Sequence, residues 1–111
     1  MARTLKNADI QVISSTDLTE LNYAVPSRSV ATASLVITNL TINPLDIDVY
    51  INNGTNDYLL ATNKIAGGDG KSWFVKELNL QKLNAGYKVK IQSSTTDSFN
   101  AFLSVSEISE D

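Results

Sequence analysis

Leu45-Asp46-Ile47-Asp48-Val49-Tyr50-Ile51 puts four aliphatic side chains on one phase of a two-residue period, with two carboxylates and a tyrosine on the other. Side chains alternate between faces in this way only on an extended strand, so the run reads as a strand with one packed and one wet face. The pattern returns along the chain. Ala31, Ala33, Leu35 and Ile37 alternate with Thr32, Ser34, Val36 and Thr38. Tyr87, Val89 and Ile91 alternate with Lys88, Lys90 and Gln92. Phe99, Ala101, Leu103 and Val105 alternate with Asn100, Phe102, Ser104 and Ser106. Weaker strand patterns cover residues 8–14, 57–63 and 72–77. No stretch carries apolar residues at helical spacing. The polar positions are mostly Ser, Thr and Asn, whose side chains compete with a helix backbone for hydrogen bonds.

Asn43-Pro44, Asn52-Asn53-Gly54, Gly67-Gly68-Asp69-Gly70 and Asn84-Ala85-Gly86 supply turn chemistry between these runs. The expected fold is all-β: a single antiparallel β-sandwich, immunoglobulin-like or jelly-roll-like, of seven to eight strands. Strand order is not readable from the pattern. Residues 1–26 alternate more loosely and are closed by Pro26. They form either an extra strand with a linker or an N-terminal arm that lies on a neighbouring subunit, with 27–111 as the sandwich domain.

Composition removes most chemistry. A chain of 111 residues makes one domain, able to bury roughly 65% of its unfolded surface without covalent staples. It has no cysteine, which excludes disulfides and thiolate nucleophiles, and no histidine, which removes the commonest general base and metal ligand. A Ser-His-Asp triad cannot be assembled. Nine basic against twelve acidic residues leave a net charge of -3, the wrong sign for a nucleic-acid binder. Apolar runs such as Leu35-Val36-Ile37 are too short for a membrane helix. No enzyme activity, metal or cofactor is expected.

Four constellations remain. Asp46 and Asp48 lie on the same side of one strand, about 7 Å apart. Such a pair can bind a cation or act as acid and base on a glycosidic bond, but cross-strand pairing with Lys88 and Lys90 accounts for it without chemistry. The Gly67, Gly68, Asp69, Gly70 segment lacks the residues of a phosphate or calcium loop and reads as a mobile hairpin tip open to a partner. Trp73 and Phe74 are adjacent, so one faces the core and the other is available to a sugar ring or a protein pocket. Phe102 falls on the wet phase of its strand, which suggests a protein contact.

Several segments together resemble the small β-sandwich virion structural proteins of tailed bacteriophages, of decoration or head-accessory type. The matching stretches are Leu21-Asn22-Tyr23-Ala24-Val25-Pro26, Ser34-Leu35-Val36-Ile37-Thr38-Asn39, Asp57-Tyr58-Leu59-Leu60, Leu83-Asn84-Ala85-Gly86 and Val105-Ser106-Glu107-Ile108. Tyr87 stands where that family often has Asp, and Ser27-Arg28 replaces its Ala-Gly after the proline. The resemblance covers Leu18 to Glu110. It implies a non-enzymatic virion building block, assembled in the host cytoplasm as a homo-oligomer (a trimer or ring) on the major capsid protein or other virion proteins. Nucleic acid and membrane are not among its expected partners.

The leading expectation is therefore a capsid decoration (cement) protein. Its candidate contact residues are Leu5 and Ile10 in the N-terminal segment, Gly67, Gly68, Asp69 and Gly70, and Phe102. A neck, tail or fibre component is the first alternative. Of other classes are a carbohydrate-binding module using Trp73 or Phe74 with Asp46 and Asp48, and a hydrolase using the same carboxylates.

Overall fold

Two eleven-residue strands, β4 (Ser29–Asn39) and β10 (Phe99–Ser109), pair antiparallel over their whole length, from Phe99 opposite Asn39 to Ser109 opposite Ser29. The computed structural model in which they lie describes residues 2–7, 11–68 and 71–109. Along the free edge of β10 run β1 (Ala2–Asn7) and β2 (Gln11–Ile13). Along that of β4 run β7 (Ser72–Phe74) and β8 (Leu83–Asn84), completing the first sheet. The second sheet has the order β3-β9-β5-β6, from β3 (Thr19–Ala24), β9 (Lys88–Ser93), β5 (Leu45–Asn52) and β6 (Asp57–Ile65). The two antiparallel sheets form a sandwich. The ten strands among the described residues exceed the seven to eight legible in the pattern because each edge of the first sheet is built from two short strands.

The inward phase of every strong run is buried, apart from Ile51 and Tyr87, which are partly buried against the core. Ala31, Ala33, Leu35 and Ile37 face Leu45, Ile47, Val49, Val89 and Ile91 across the sandwich, with Phe99, Ala101, Leu103 and Val105 beside them. Each large aliphatic or aromatic side chain so buried contributes about 1.5–3 kcal/mol over exposure. Residues 1–26 supply strands to both sheets, β1 and β2 on β10 and β3 on β9, and add Ile13, Leu21 and Val25 to the core.

The pattern over 72–77 is a strand only as far as Phe74. The Val75 N–H still donates to Leu35 O (3.0 Å), and the chain then turns into a short helix, α1 (Lys76–Asn79). Val75 and Leu78, three residues apart, are both fully buried, as one helical turn allows. A single turn is too short to register as periodicity, which is why the sequence shows no helix.

β4 ends on a buried polar residue that joins the two sheets. Asn39 is fully buried, and its Nδ2 donates to the carbonyls of Asn43 (2.7 Å), Ala66 (3.2 Å) and Ile65 (3.4 Å). Its Oδ1 accepts from the Thr41 N–H (2.8 Å) and Thr41 Oγ1 (2.9 Å). One carboxamide thus closes the crossing into β5 and the exit from β6. Gly67 and Gly68 belong to this corner and not to a free hairpin tip. A Cβ at Gly67 would collide with the Ile42 carbonyl, and the Gly68 N–H donates to Thr41 O (3.1 Å). The Asp69 and Gly70 positions lie outside the described residues. At the β3–β4 turn Arg28 holds φ +61°, a left-handed conformation that glycine adopts without cost.

Two outcomes follow for equilibrium urea unfolding. Asn39→Ala leaves several buried backbone groups without partners and lowers the unfolding free energy by about 2–4 kcal/mol. Arg28→Gly relieves the left-handed residue and raises it by about 0.5 kcal/mol, the steric gain exceeding the added unfolded-chain entropy.

Candidate functional site

The outward phase of β4 and β10 builds a face unlike the other surface of the sandwich. Its ten positions are Val30, Thr32, Ser34, Val36 and Thr38 on β4, and Asn100, Phe102, Ser104, Ser106 and Ile108 on β10. None is charged. The register places Phe102 opposite Val36 and Val36 opposite Phe74, so an apolar row runs across three strands. Directly opposed side chains lie about 5 Å apart, close enough for this row to form one continuous ridge. Thr38 and Ser72 share a hydroxyl hydrogen bond of 2.9 Å in the next row. Towards the other end, Ser34, Thr32, Ser104 and Ser106 leave a shallow floor. Two grooves of about 290 and 340 Å³ open over that floor, bordered by Leu5 and by Arg3, Ile108 and Lys82. Five large apolar side chains, Leu5 (80%), Val12 (68%), Phe74 (49%), Phe102 (37%) and Ile108 (37%), stay exposed on this one face. Contiguous exposed apolar surface on a small domain marks an interaction site.

Leu5 stands on this face because of register. β1 and β2 share the β10 edge, but the pairing shifts by one residue between them, so odd-numbered Leu5 points outward while odd-numbered Ile13 points into the core. Side-chain bonds hold β1 in place. Arg3 Nε donates to Ser106 Oγ (3.1 Å), and Lys6 Nζ pairs with Glu107 Oε1 (3.2 Å). Glu107 is buried, and its second oxygen accepts a short bond (2.5 Å) from the Tyr23 hydroxyl on β3, so this carboxylate ties both sheets to the edge strand. Burial first, and then donation to the Glu107 carboxylate and its charge, raise the Tyr23 hydroxyl pKa well above its ordinary value of 10.0.

The opposite face, on the second sheet, is charged and paired. Lys64 meets Asp46 (3.8 Å), Lys88 meets Glu20 (3.3 Å) and Lys90 meets Asp57 (3.1 Å). Asn52 donates to Asp57 (2.8 Å), and this bond, followed by Lys90, holds the Asp57 carboxyl below the usual carboxylate range. Asp46 and Asp48 thus lie on a solvated face, as one reading of the sequence had it, but their neighbours differ. The register sets Asp48 opposite Gln92 and Asp46 opposite Lys64, while Lys88 and Lys90 reach Glu20 and Asp57. Trp73 packs against the core and Phe74 is exposed on the first sheet. Phe74 and the Asp46–Asp48 pair therefore lie on opposite sides of the sandwich and cannot form one sugar site.

Of the candidate contact residues, Leu5 and Phe102 come together on the uncharged face. Gly67 and Gly68 sit apart from them in the Asn39 corner, and Ile10, Asp69 and Gly70 lie outside the described residues. Val12, Val36 and Ile108 join Phe102 on its face without having been singled out, and Phe74, picked out for a sugar ring or a protein pocket, joins it too. Each carries the signal that marked Phe102, an apolar side chain on the wet phase of a strand, but only the register shows that they share a surface.

No protein-family model matches the sequence, and no curated protein matches it. Among solved structures, the whole chain aligns with 93% of a subunit of the Bacillus endospore appendages, a family of disulfide-linked pili, at TM-score 0.52 and 16% identity. In the infectious bursal disease virus T13 particle, 96% of the chain aligns with 31% of a particle chain, at TM-score 0.50 and 16% identity. The chain spans about a third of that viral protein. At these identities the likeness is one of fold: the sandwich is of a kind found in pilus and viral capsid proteins. The CBM22-1-GH10 modules of a Clostridium thermocellum xylanase align at TM-score 0.42 and 10% identity, over 26% of their length, too distant to bear on the sugar-binding reading.

The Tyr23–Glu107 bond has a testable pH signature. The folded state keeps the Tyr23 proton after the unfolded chain has lost it, so the stabilisation is whole below about pH 10 and declines as pH rises beyond that. Tyr23→Phe is expected to be less stable than wild type at pH 8, with the gap narrowing between pH 10 and 11, as read by urea unfolding at each pH.

Proposed function

We propose that this chain is a non-enzymatic structural subunit of a virion, and more narrowly a tailed-phage capsid decoration protein that binds the shell and reinforces it. The observation that carries the reading is the uncharged, apolar-ridged outer face of β4 and β10 set against an ion-paired opposite face. Contact surfaces shed charge at their centres, whereas solvated faces keep it. The fold shared with pilus and capsid subunits supports the reading, as does the resemblance in sequence motifs to tailed-phage virion proteins. With neither histidine nor cysteine, the chain offers surface area and little chemistry. With no cysteine, it cannot form disulfide links of the kind named for the appendage pili.

On this reading its partners are copies of itself and the major capsid protein or another virion protein, and it resides in the virion after assembly in the host cytoplasm. Subunits of this kind associate with closed symmetry. A neck, tail or fibre component is the second reading, favoured by the alignment of the whole chain with an appendage subunit.

Copy number separates these readings. Quantifying this chain against the major shell protein in purified particles should give hundreds of copies for a decoration protein. A single ring to a few dozen copies would move it to the neck, tail or fibres, and its absence from particles would overturn the virion reading.

A further inference from the structure

We infer that the occupant of the uncharged face is a second copy of this chain, packed sheet on sheet about a two-fold axis that passes close to the Ser34–Ser104 pair. The inference rests on reading that face as the protein contact surface and adds the identity of the partner.

Three observations carry it. The first is charge. Two copies each bearing a net charge of -3 repel at long range, so their best contact is one that opposes no like charges. The ten outward positions of β4 and β10 meet that condition; Arg3, on the same phase of β1 as Leu5, hydrogen-bonds Ser106 there and, with Lys82, brings positive charge to one groove. The second is shape. Ridge and floor lie side by side on the same face: the Phe102–Val36–Phe74 row and the protruding Leu5 stand above the serine and threonine floor and its two grooves. An isologous contact needs a patch complementary to itself, with projection and recess presented by each copy.

The third is area. The 36 strand residues of this sheet, at ~3.3 Å rise and ~4.8 Å spacing, present roughly 570 Å² per copy. Two copies would bury about 1,100 Å², above the roughly 1,000 Å² that a specific interface should clear. Sheets so stacked sit about 10 Å apart, which brings the small Ser104 and Ser34 side chains of the two copies near one another at the centre. Trimers and rings use two different patches per subunit, and a face that serves both partners alike closes at two.

Sedimentation equilibrium of the full chain tests the mass, and cysteine cross-linking tests the face. Wild type should sediment at twice the chain mass at micromolar concentration. Phe102→Asp should weaken self-association about 30-fold or more while keeping the wild-type circular dichroism spectrum. Because the chain has no native cysteine, Ser104→Cys should be joined between copies by a short bismaleimide cross-linker, whereas Asp48→Cys on the opposite face should not. The cross-link decides the matter if Phe102→Asp fails to fold. A monomer throughout the micromolar range, a trimer or larger ring, or cross-linking of Asp48→Cys and not of Ser104→Cys overturns the inference. A dimer that is missing from purified particles overturns the virion reading and leaves this one standing; a monomer abundant in particles does the reverse.

Discussion

The ladder between β4 and β10 is the constraint on which the rest of the molecule depends. Its eleven consecutive pairs assign one phase of each strand to the core and the other to the outside, and every short strand of the first sheet borrows its register from one of them. A slip of one residue in β10 would bring Phe102, Ser104 and Ser106 into the interior and expel Phe99, Leu103 and Val105. The cost of exposing those three side chains, several kcal/mol, holds the register. The same choice that builds the core also lines up Phe102, Val36 and Phe74 outside it. Core and contact face are two sides of one pairing.

Two buried polar groups, towards opposite ends of this ladder, fasten the sheets to one another. Apolar packing is non-directional and tolerates sliding, whereas a hydrogen-bonded carboxamide or carboxylate does not. Asn39 satisfies the backbone where the chain leaves β4 for the second sheet and where β6 ends. Glu107, paired with Tyr23 across the sandwich and with Lys6 along the edge, holds β1 where it carries Leu5 to the outer face. Specificity of alignment comes from these few groups, and the bulk of the stability from the core around them.

The two outer faces divide the chain's polar chemistry. The second sheet gathers Asp46, Lys64, Glu20, Lys88, Asp57 and Lys90 into pairs that keep it solvated. Exposed pairs of this kind add little stability. The ten outward positions of β4 and β10, by contrast, carry no charge, and a surface so composed loses little hydration when another protein covers it. That asymmetry sets the first sheet's outer face apart as the candidate contact surface.

Alternation in single segments determined the all-β class, the position of β4, β5, β9 and β10, and the inward identity of the residues those four strands give to the core, because period-two burial is a local property that each strand records by itself. The absence of histidine and cysteine limited the chemistry in the same direct way. Phe102 could be recognised as an apolar residue on a wet phase from its own strand alone. Its partners could not, since backbone hydrogen bonds between strands are indifferent to side-chain identity and carry no label of which strand lies alongside. Tertiary structure alone decided that Val36 and Phe74 complete the row, that Leu5 lies on the same face, and that Lys88 and Lys90 answer Glu20 and Asp57 instead of Asp46 and Asp48. It also decided that the glycine at 67 serves close packing against Ile42 and not freedom at a tip, because a close approach between segments distant in sequence exists only once both sheets are in place.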